Sequence, residues 1–362
     1  MEPSNYRKKV NLYDLSYDSL KSMLSSWGYS HFFADKIWHY LYVKRIGSLD
    51  QIDDLREDIL VTLKEETRLE TPNLVSVQQS ADGLTTKYLL ALADNEQIEC
   101  VLMQYDGRST ACISSQVGCA MGCVFCATGQ MGFGRNLSSG EIVSQVVYLL
   151  RRGDEQGETI RNIVFMGMGE PLHNYSATMG AIETLTDDRG LAFGPRYVTV
   201  STIGLPTAIR RLADERLRVN LAVSLHAATE NERRALVPIT SRWTLGEVLS
   251  ACKEYSEKSR RRIFFEWALI AGINDSTDQA KALGRLLQGM NSHVNLIPVN
   301  PTKGYKALPS DDETARMFQF ELSKFNIPST VRQKRGIDIL AGCGQLRTEV
   351  EQPKPSNFEC RN

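Results

Sequence analysis

Apolar positions along this 362-residue chain recur with two different periods, and the change from one to the other divides it. From Tyr17 to Trp27, Phe32 to Val43 and Leu55 to Thr67 they return every three or four residues, which predicts three helices joined by short links. From Leu74 to Gln104 the pattern shortens to the β-rich runs Thr86–Leu92 and Gln97–Gln104, punctuated by Asp82-Gly83 and Asp94-Asn95. This predicts a small sheet or hairpin linking two larger parts. Beyond Thr110, apolar runs at Asn162–Met166, Tyr197–Val200, Val219–Val223, Ile263–Leu269 and His293–Val299 alternate with helical stretches at 175–185, 206–215, 245–258, 277–288 and 312–325. Ser138 to Glu141 form a capping box, and Ile142, Val143, Val146, Val147, Leu149 and Leu150 follow on one helical face.

Strand and helix in alternation build parallel βαβ units. With about six units and no dinucleotide fingerprint, the expected fold is α/β, an open or partial (β/α)6 barrel of the TIM type rather than a doubly wound sheet. The expected organisation is a helical N-terminal accessory domain for RNA binding over 1–75, a β-rich linker over 76–104, the barrel over 105–350 and a flexible tail over 351–362. Barrels of this kind hold their sites at the carboxyl ends of the strands. The small and polar segments Gly167-Met168-Gly169-Glu170, Ser201-Thr202, Ser224-Leu225-His226 and Asn300-Pro301 fall there.

Apolar residues make up 42% of the chain and charged ones 23%, the balance of a soluble globular protein. Net charge is -1, so any surface for nucleic acid must be local. No apolar run has the length of a membrane span, and the first ten residues lack the apolar core of a signal peptide. The expectation is a cytoplasmic protein without a membrane partner, and a monomer, since no long heptad pattern is present. In that compartment eight cysteines read as metal-binding or catalytic rather than as a disulfide framework.

Three of them, Cys119, Cys123 and Cys126, stand in C-x3-C-x2-C spacing, with Cys112 seven residues upstream. Thiolates this close in sequence can converge on an iron-sulfur cluster or a zinc ion. A 4Fe-4S cluster held by three thiolates keeps one iron open to substrate or cofactor, whereas a zinc loop would draw its missing ligand from afar. The Gly167–Pro171 turn lets backbone approach a ligand, and it is no phosphate loop, since the G-x-G-x-x-G pattern and the Walker lysine are both missing. Ser201, Ser224 and Asn300 suit ribose or carboxylate contacts, while His226 at a strand end reads as a structural hydrogen-bonding residue. Cys343 lies between Gly342 and Gly344, after the cationic run from Arg332 to Arg335, so its thiol should be accessible. Trp38, Tyr40, Tyr42, Lys44 and Arg45 form either a small helical core or a platform for RNA bases, and Lys258 to Arg262 are a second cationic candidate.

With Phe125 before the last cysteine and Ala127-Thr128-Gly129 after it, the cysteine stretch resembles the signature of the radical S-adenosylmethionine (SAM) superfamily. Nearly end to end, the chain resembles the RlmN/Cfr family of radical SAM rRNA methyltransferases. The segments that carry this include Cys112–Cys119, Gly167–Leu172, Val223–Ala227, Val237–Ile239, Gly272–Ser276, Val294–Pro298 and Ala341–Leu346. The resemblance implies a 4Fe-4S cluster on Cys119, Cys123 and Cys126, with SAM on its open iron. The candidate SAM-binding residues are Gly169, Glu170, Ser201, Ser224, Leu225, His226 and Asn300.

It also implies two SAM molecules per turnover. One methylates Cys343; the second, cleaved by an electron from a donor such as flavodoxin, yields a radical that takes hydrogen from the S-methyl group. The resulting methylene adds to an adenine carbon, Glu99 accepts the ring proton, and Cys112 attacks Cys343 sulfur, forming a disulfide and releasing methylated RNA. Within the family the product is either C2-methyladenosine in the peptidyl-transferase centre of 23S rRNA, with a tRNA anticodon-loop adenosine as a second target, or C8 methylation of the same rRNA base. Ala127–Phe133 and Gly169–Leu172 resemble the C2 type, Ser201–Gly204 and Gly336–Asp338 the C8 type, and C2 is favoured. The remaining alternatives are a noncatalytic metal-holding RNA-binding protein and a radical enzyme acting on a protein or small molecule.

Overall fold

A computed structural model describes residues 9–347; the 351–362 tail lies outside the described residues. In chain order, β1 (Val10–Asn11) precedes helices α1 (Tyr17–Ser26), α2 (Phe33–Trp38) and α3 (Glu57–Glu66), and β2 (Thr67–Arg68) pairs with β1. Then come β3 (Asn73–Gln79), β4 (Thr85–Ala91), β5 (Gln97–Tyr105), β6 (Arg108–Cys112) and β7 (Gln116–Gly118). A short helix α4 (Ala127–Met131), β8 (Phe133–Asn136) and the long α5 (Ser139–Gln156) follow. The chain then alternates: β9 (Ile160–Phe165), α6 (Tyr175–Thr186), β10 (Val198–Thr202), α7 (Pro206–Asp214), β11 (Asn220–Ser224), α8 (Glu230–Leu236) and α9 (Leu245–Ser259). It ends with β12 (Ile263–Leu269), α10 (Thr277–Leu287), β13 (Ser292–Pro298), α11 (Asp312–Ser323) and β14 (Ser329–Val331).

One sheet of ten strands organises the molecule, in the order β14-β13-β12-β11-β10-β9-β6-β5-β4-β3. From β6 to β14 every neighbouring pair is parallel, as the βαβ alternation predicts. Strands that follow one another in this way, each covered by its helix, form the partial barrel, and β14 is a short additional strand at its edge. The barrel strands are apolar on both faces because side chains fill the lumen on one side and meet helices on the other. Val223, Phe265, Trp267, Val294 and Leu296 are all fully buried.

The stretch read as a linker is part of this sheet. β3, β4 and β5 pair antiparallel, and β5 continues into β6 through the register Val101↔Cys112 to Tyr105↔Arg108. The reason is visible in Ile98-Glu99-Cys100-Val101-Leu102, every residue of which is buried, so both faces of β5 needed cover that a free hairpin lacks.

The N-terminal helices share one hydrophobic core with the barrel, and Asp14 Oδ1 accepts from the Gly140 N–H at the start of α5 (2.6 Å). Trp38, Tyr40 and Tyr42 are buried in this core, 1%, 3% and 1% exposed, so the aromatic platform for bases is absent and the helical-core reading holds. Tyr40 and Tyr42 lie on a π-helical turn over His39–Val43. Lys44 lies over the Tyr40 ring, and Arg45 pairs with Asp154 on α5 (2.5 Å). The cationic run 258–262 immediately precedes β12, at the amino ends of the barrel strands and opposite the site. Lys258 there pairs with Asp214 and Glu254, and Arg261 donates to Asn220.

Candidate active site

β7 and β8 form an antiparallel ribbon whose tip, residues 119–132, carries the three cysteines. The ribbon closes at Gly118 (φ +71°), where a Cβ would stand 2.1 Å from the Gly132 carbonyl oxygen, so only glycine fits. The Cys119 N–H donates to that carbonyl (2.7 Å), and Cys126 N–H turns back to the Cys123 carbonyl (3.1 Å).

All three thiols line one cavity of about 160 Å³ at the carboxyl ends of the strands. Gly169, Glu170, Ser201, Ser224, His226 and Asn300 line it too, so six residues expected at a SAM site meet the cysteines there. Among the described residues no three His, Cys, Asp or Glu side chains converge on one ion, so the thiols are spread around a shared space. A cube of four irons and four sulfides takes thiolates at separate corners and accepts that arrangement. Burial pushes the Cys119 thiol up to about 12 and raises Cys123 well above its usual value, with neighbouring thiolates and Glu170 adding to both. A bound cation cluster relieves that repulsion and displaces the protons.

Glu170 is buried and clamped: Oε1 accepts from the Leu172 N–H (3.0 Å) and Oε2 from the Ile203 N–H (2.8 Å). Burial nonetheless raises its pKa to about 7, the hydrogen bonds opposing. A ligand ammonium beside it would restore the carboxylate. At Gly169 (φ +102°) a Cβ would stand 2.6 Å from the Gln116 side chain, and Gln116 Oε1 accepts from the Glu170 N–H (2.9 Å).

His226 keeps its structural role. Its Nδ1 accepts from the Ala268 N–H (2.9 Å), and burial, with Arg233 nearby, lowers its pKa to about 3, so the ring is neutral. The same ring stacks edge-on against Phe125 in the cysteine loop, 4.8 Å between centroids. The Leu225 side chain is in the core, its N–H donates to the Glu266 carbonyl (3.0 Å), and it lines neither cavity described here. An apolar residue at that register faces away from the lumen.

Cys343 lies in a loop between β14 and the end of the described chain. It lines the cysteine cavity and also a second, of about 260 Å³, that Cys112 lines as well. Met166, Glu266, Ile297 and Asn300 are the other residues common to both. Asn300, expected as a ribose or carboxylate contact, donates through Nδ2 to the Cys343 carbonyl (3.1 Å) while lining the cysteine cavity. Burial raises the pKa of Cys112, and Cys343, which lines the same cavity, adds to it. The Cys343 thiol is raised as well, by the surrounding protein and by Glu266, against Arg332. Glu266 carried no signal in the sequence, since an acid within an apolar strand run becomes notable only when it faces a lumen.

Glu99 is buried on β5 and 1% exposed, where an ordinary strand carboxylate would face solvent. It pairs with Lys87 (3.0 Å) and accepts from the Arg347 N–H (2.6 Å), and it lines neither cavity.

A partial barrel with three thiols and a ligand-sized cavity at the carboxyl ends of its strands defines a radical SAM enzyme, and the pattern of the Radical SAM superfamily matches residues 113–283. The chain is 54% identical over 343 residues to the dual-specificity RNA methyltransferase RlmN 1 of Myxococcus xanthus (strain DK1622), covering 95% of this chain and 96% of that one. It is 48% identical over 370 positions, 93% and 86% of the two chains, to the probable dual-specificity RNA methyltransferase RlmN 2 of Opitutus terrae. A crystal structure of a radical SAM methyltransferase from Sphaerobacter thermophilus superposes with a TM-score of 0.91 at 45% identity, over 94% of this chain and all of that one. The chain belongs to the RlmN family of radical SAM RNA methyltransferases. Membership implies a 4Fe-4S cluster and SAM, for which Cys119, Cys123 and Cys126 and the residues around them provide the fitting donors.

Proposed function

We propose that this enzyme methylates C2 of an adenosine in the peptidyl-transferase centre of 23S rRNA and C2 of a tRNA anticodon-loop adenosine, with Cys343 as methyl carrier and two SAM consumed per turnover. The observation that carries this reading is the position of Cys343 where two cavities meet. A carrier sulfur must face the cofactor on one side and the base on the other, and Cys343 lines both spaces.

The bound cluster and SAM supply a carbon radical that ordinary side chains cannot. Glu170 and the backbone after β9 orient the cofactor's charged end, and Cys343 presents its sulfur. Cys112, lining the same cavity as Cys343, attacks the Cys343 sulfur; the S–CH2 bond breaks, its electron pair and a proton complete the methyl group on the released RNA, and a dithiol reductant returns the disulfide to two thiols. The resemblance gives Glu99 the ring proton, and burial raises its pKa, yet it lines neither cavity and pairs with Lys87, so no contact with the base carries that role here.

RNA as the substrate is supported by the charge of the larger cavity. Arg108, Arg196, Arg332, Lys334 and Arg335 line it, against the single carboxylate of Glu266. That imbalance in a chain of net charge -1 suits a polyanion. A donor of the flavodoxin type, a monomeric state and a cytoplasmic location complete the proposal, since the thiols and the reductive step need a reducing compartment. No helix among the described residues is long and apolar enough to cross a membrane.

The test is anaerobic reaction of iron-reconstituted protein with reductant, methyl-labelled SAM and rRNA or tRNA, followed by mass spectrometry of digested nucleosides. C2-methyladenosine from both RNAs is the expected result. A C8 product would move the enzyme to the other branch, and turnover of SAM without a methylated base would overturn the RNA reading.

A further inference from the structure

The buried pair of Lys87 on β4 and Glu99 on β5 reaches both shoulders of the Cys343 loop. The two side chains are diagonal neighbours across the strands and only 8% and 2% exposed. Lys87 Nζ lies 3.0 Å from Glu99 Oε1 and donates to the Leu340 carbonyl (3.4 Å), three residues before Cys343. Glu99 Oε2 accepts from the Arg347 N–H (2.6 Å), four residues after it. One ion pair therefore holds both ends of the segment whose centre carries the thiol.

The segment is otherwise short of regular structure. Leu340 (φ 53°) and Gly344 (φ 80°) are left-handed, and no strand or helix runs from 340 to 347. A residue with a side chain at positive φ is strained and persists only where its surroundings enforce it. The Leu340 carbonyl is the atom Lys87 grips.

Resting on the proposed role of Cys343 as carrier, we infer that Lys87 is a positioning residue for the methyl-transfer reaction. Through Glu99 it seats the 340–347 loop so that the Cys343 sulfur stands at the junction of the two cavities. An ion pair withdrawn from water is strong when complete and leaves an uncompensated charge when one partner is removed. Loss of Lys87 therefore loosens the loop at both ends, because Glu99 then takes up a proton and holds the Arg347 N–H less firmly. β4 itself touches neither cavity except through this contact.

The experiment compares wild type with Lys87→Met by hydrogen exchange and by kinetics. In Lys87→Met, amide exchange across 340–347 is expected to rise at least about tenfold while β9 to β13 keep wild-type protection. The kcat for RNA methylation is expected to fall at least about tenfold with the KM for RNA unchanged, and SAM cleavage to 5'-deoxyadenosine to persist. A folded Lys87→Met protein with wild-type loop exchange and wild-type kcat overturns the inference. If that variant does not fold, Lys87→Met/Glu99→Gln, which leaves no unpaired charge, is read by exchange alone: a loosened loop supports the clamp and wild-type protection overturns it. A wild-type enzyme that methylates no RNA would overturn the substrate reading instead, and the exchange comparison would still decide the clamp.

Discussion

The N–H of Ala127, the residue after Cys126, donates to the carbonyl of Gly344, the residue after Cys343, at 2.7 Å. The loop of Cys119, Cys123 and Cys126, the proposed cluster ligands, and the loop of Cys343, the proposed methyl carrier, are thus joined directly by backbone. Thr128 Oγ1 adds a second link to the Leu346 carbonyl (2.6 Å). Cys343 is positioned by the cysteine loop itself, by Asn300 at the end of β13, and by the Lys87–Glu99 pair on the other side.

Replacing Thr128 by valine keeps the shape and deletes the second link. Because the hydroxyl and its partner carbonyl are buried, the loss should be about 1–3 kcal/mol, read as a lower midpoint in thermal unfolding. Methylation should fall more than SAM cleavage does, since the carrier loop is displaced while the cluster loop keeps its ligands.

Cys343→Ala should abolish methylated RNA while the visible absorption of the cluster remains, because Cys343 is not among its ligands. Cys112→Ala should instead accumulate a covalent protein–RNA adduct, detected as a shifted band that nuclease digestion shortens. A Cys112→Ala enzyme that releases methylated RNA at the wild-type rate would remove it from the resolving role.

Cys123→Ser should lose iron and SAM cleavage together. Elemental analysis of wild-type protein reconstituted without oxygen should give about four irons per chain, the content of one cubane. One zinc per chain and a colourless protein would return the loop to the zinc alternative.

Glu170 should impose a measurable pH dependence on the metal-free protein. Its folded pKa, raised to about 7 from 4.5, means that the folded state binds a proton which the unfolded chain has already lost. The stability linked to that proton is full below about 4.5 and lost as pH rises through about 7. Denaturant unfolding should therefore show wild type weakening relative to Glu170→Gln between these values, by up to about 3 kcal/mol, with a constant difference above them. A difference that does not vary with pH would mean that the carboxyl is ionised throughout.

Trp38→Ala removes a ring that is 1% exposed and packed against Tyr17 and Tyr42. The expected loss is about 3–5 kcal/mol of stability in the absence of RNA. Unchanged melting with weakened RNA binding would reverse the assignment of these aromatics to the core.

The periodicities, the barrel and the gathering of Cys119, Cys123 and Cys126 around one cavity were legible in the sequence because each is a local property. Helix and strand periods record which face is buried, and the ligands sit on one hairpin tip a few residues apart. The same holds for the capping box of Ser138 and Glu141, which the structure reproduces in both directions. The strand-end residues were legible one step less directly, through the rule that barrel sites gather at carboxyl ends: Ser201, Ser224 and His226 line the cavity there, and the Leu225 side chain is in the core.

What only the tertiary structure decided depends on partners far apart in the chain. Glu99 and Arg347 are 248 residues apart, and Lys87 and Leu340 are 253 apart, so no sequence window holds either contact. The merging of β3–β5 into the barrel sheet, the burial of Trp38, and the meeting of two cavities at Cys343 likewise follow from which surfaces covered one another during packing. Amino-acid pattern sets the faces each element must bury, whereas the atoms that end up opposite those faces are chosen by the fold as a whole.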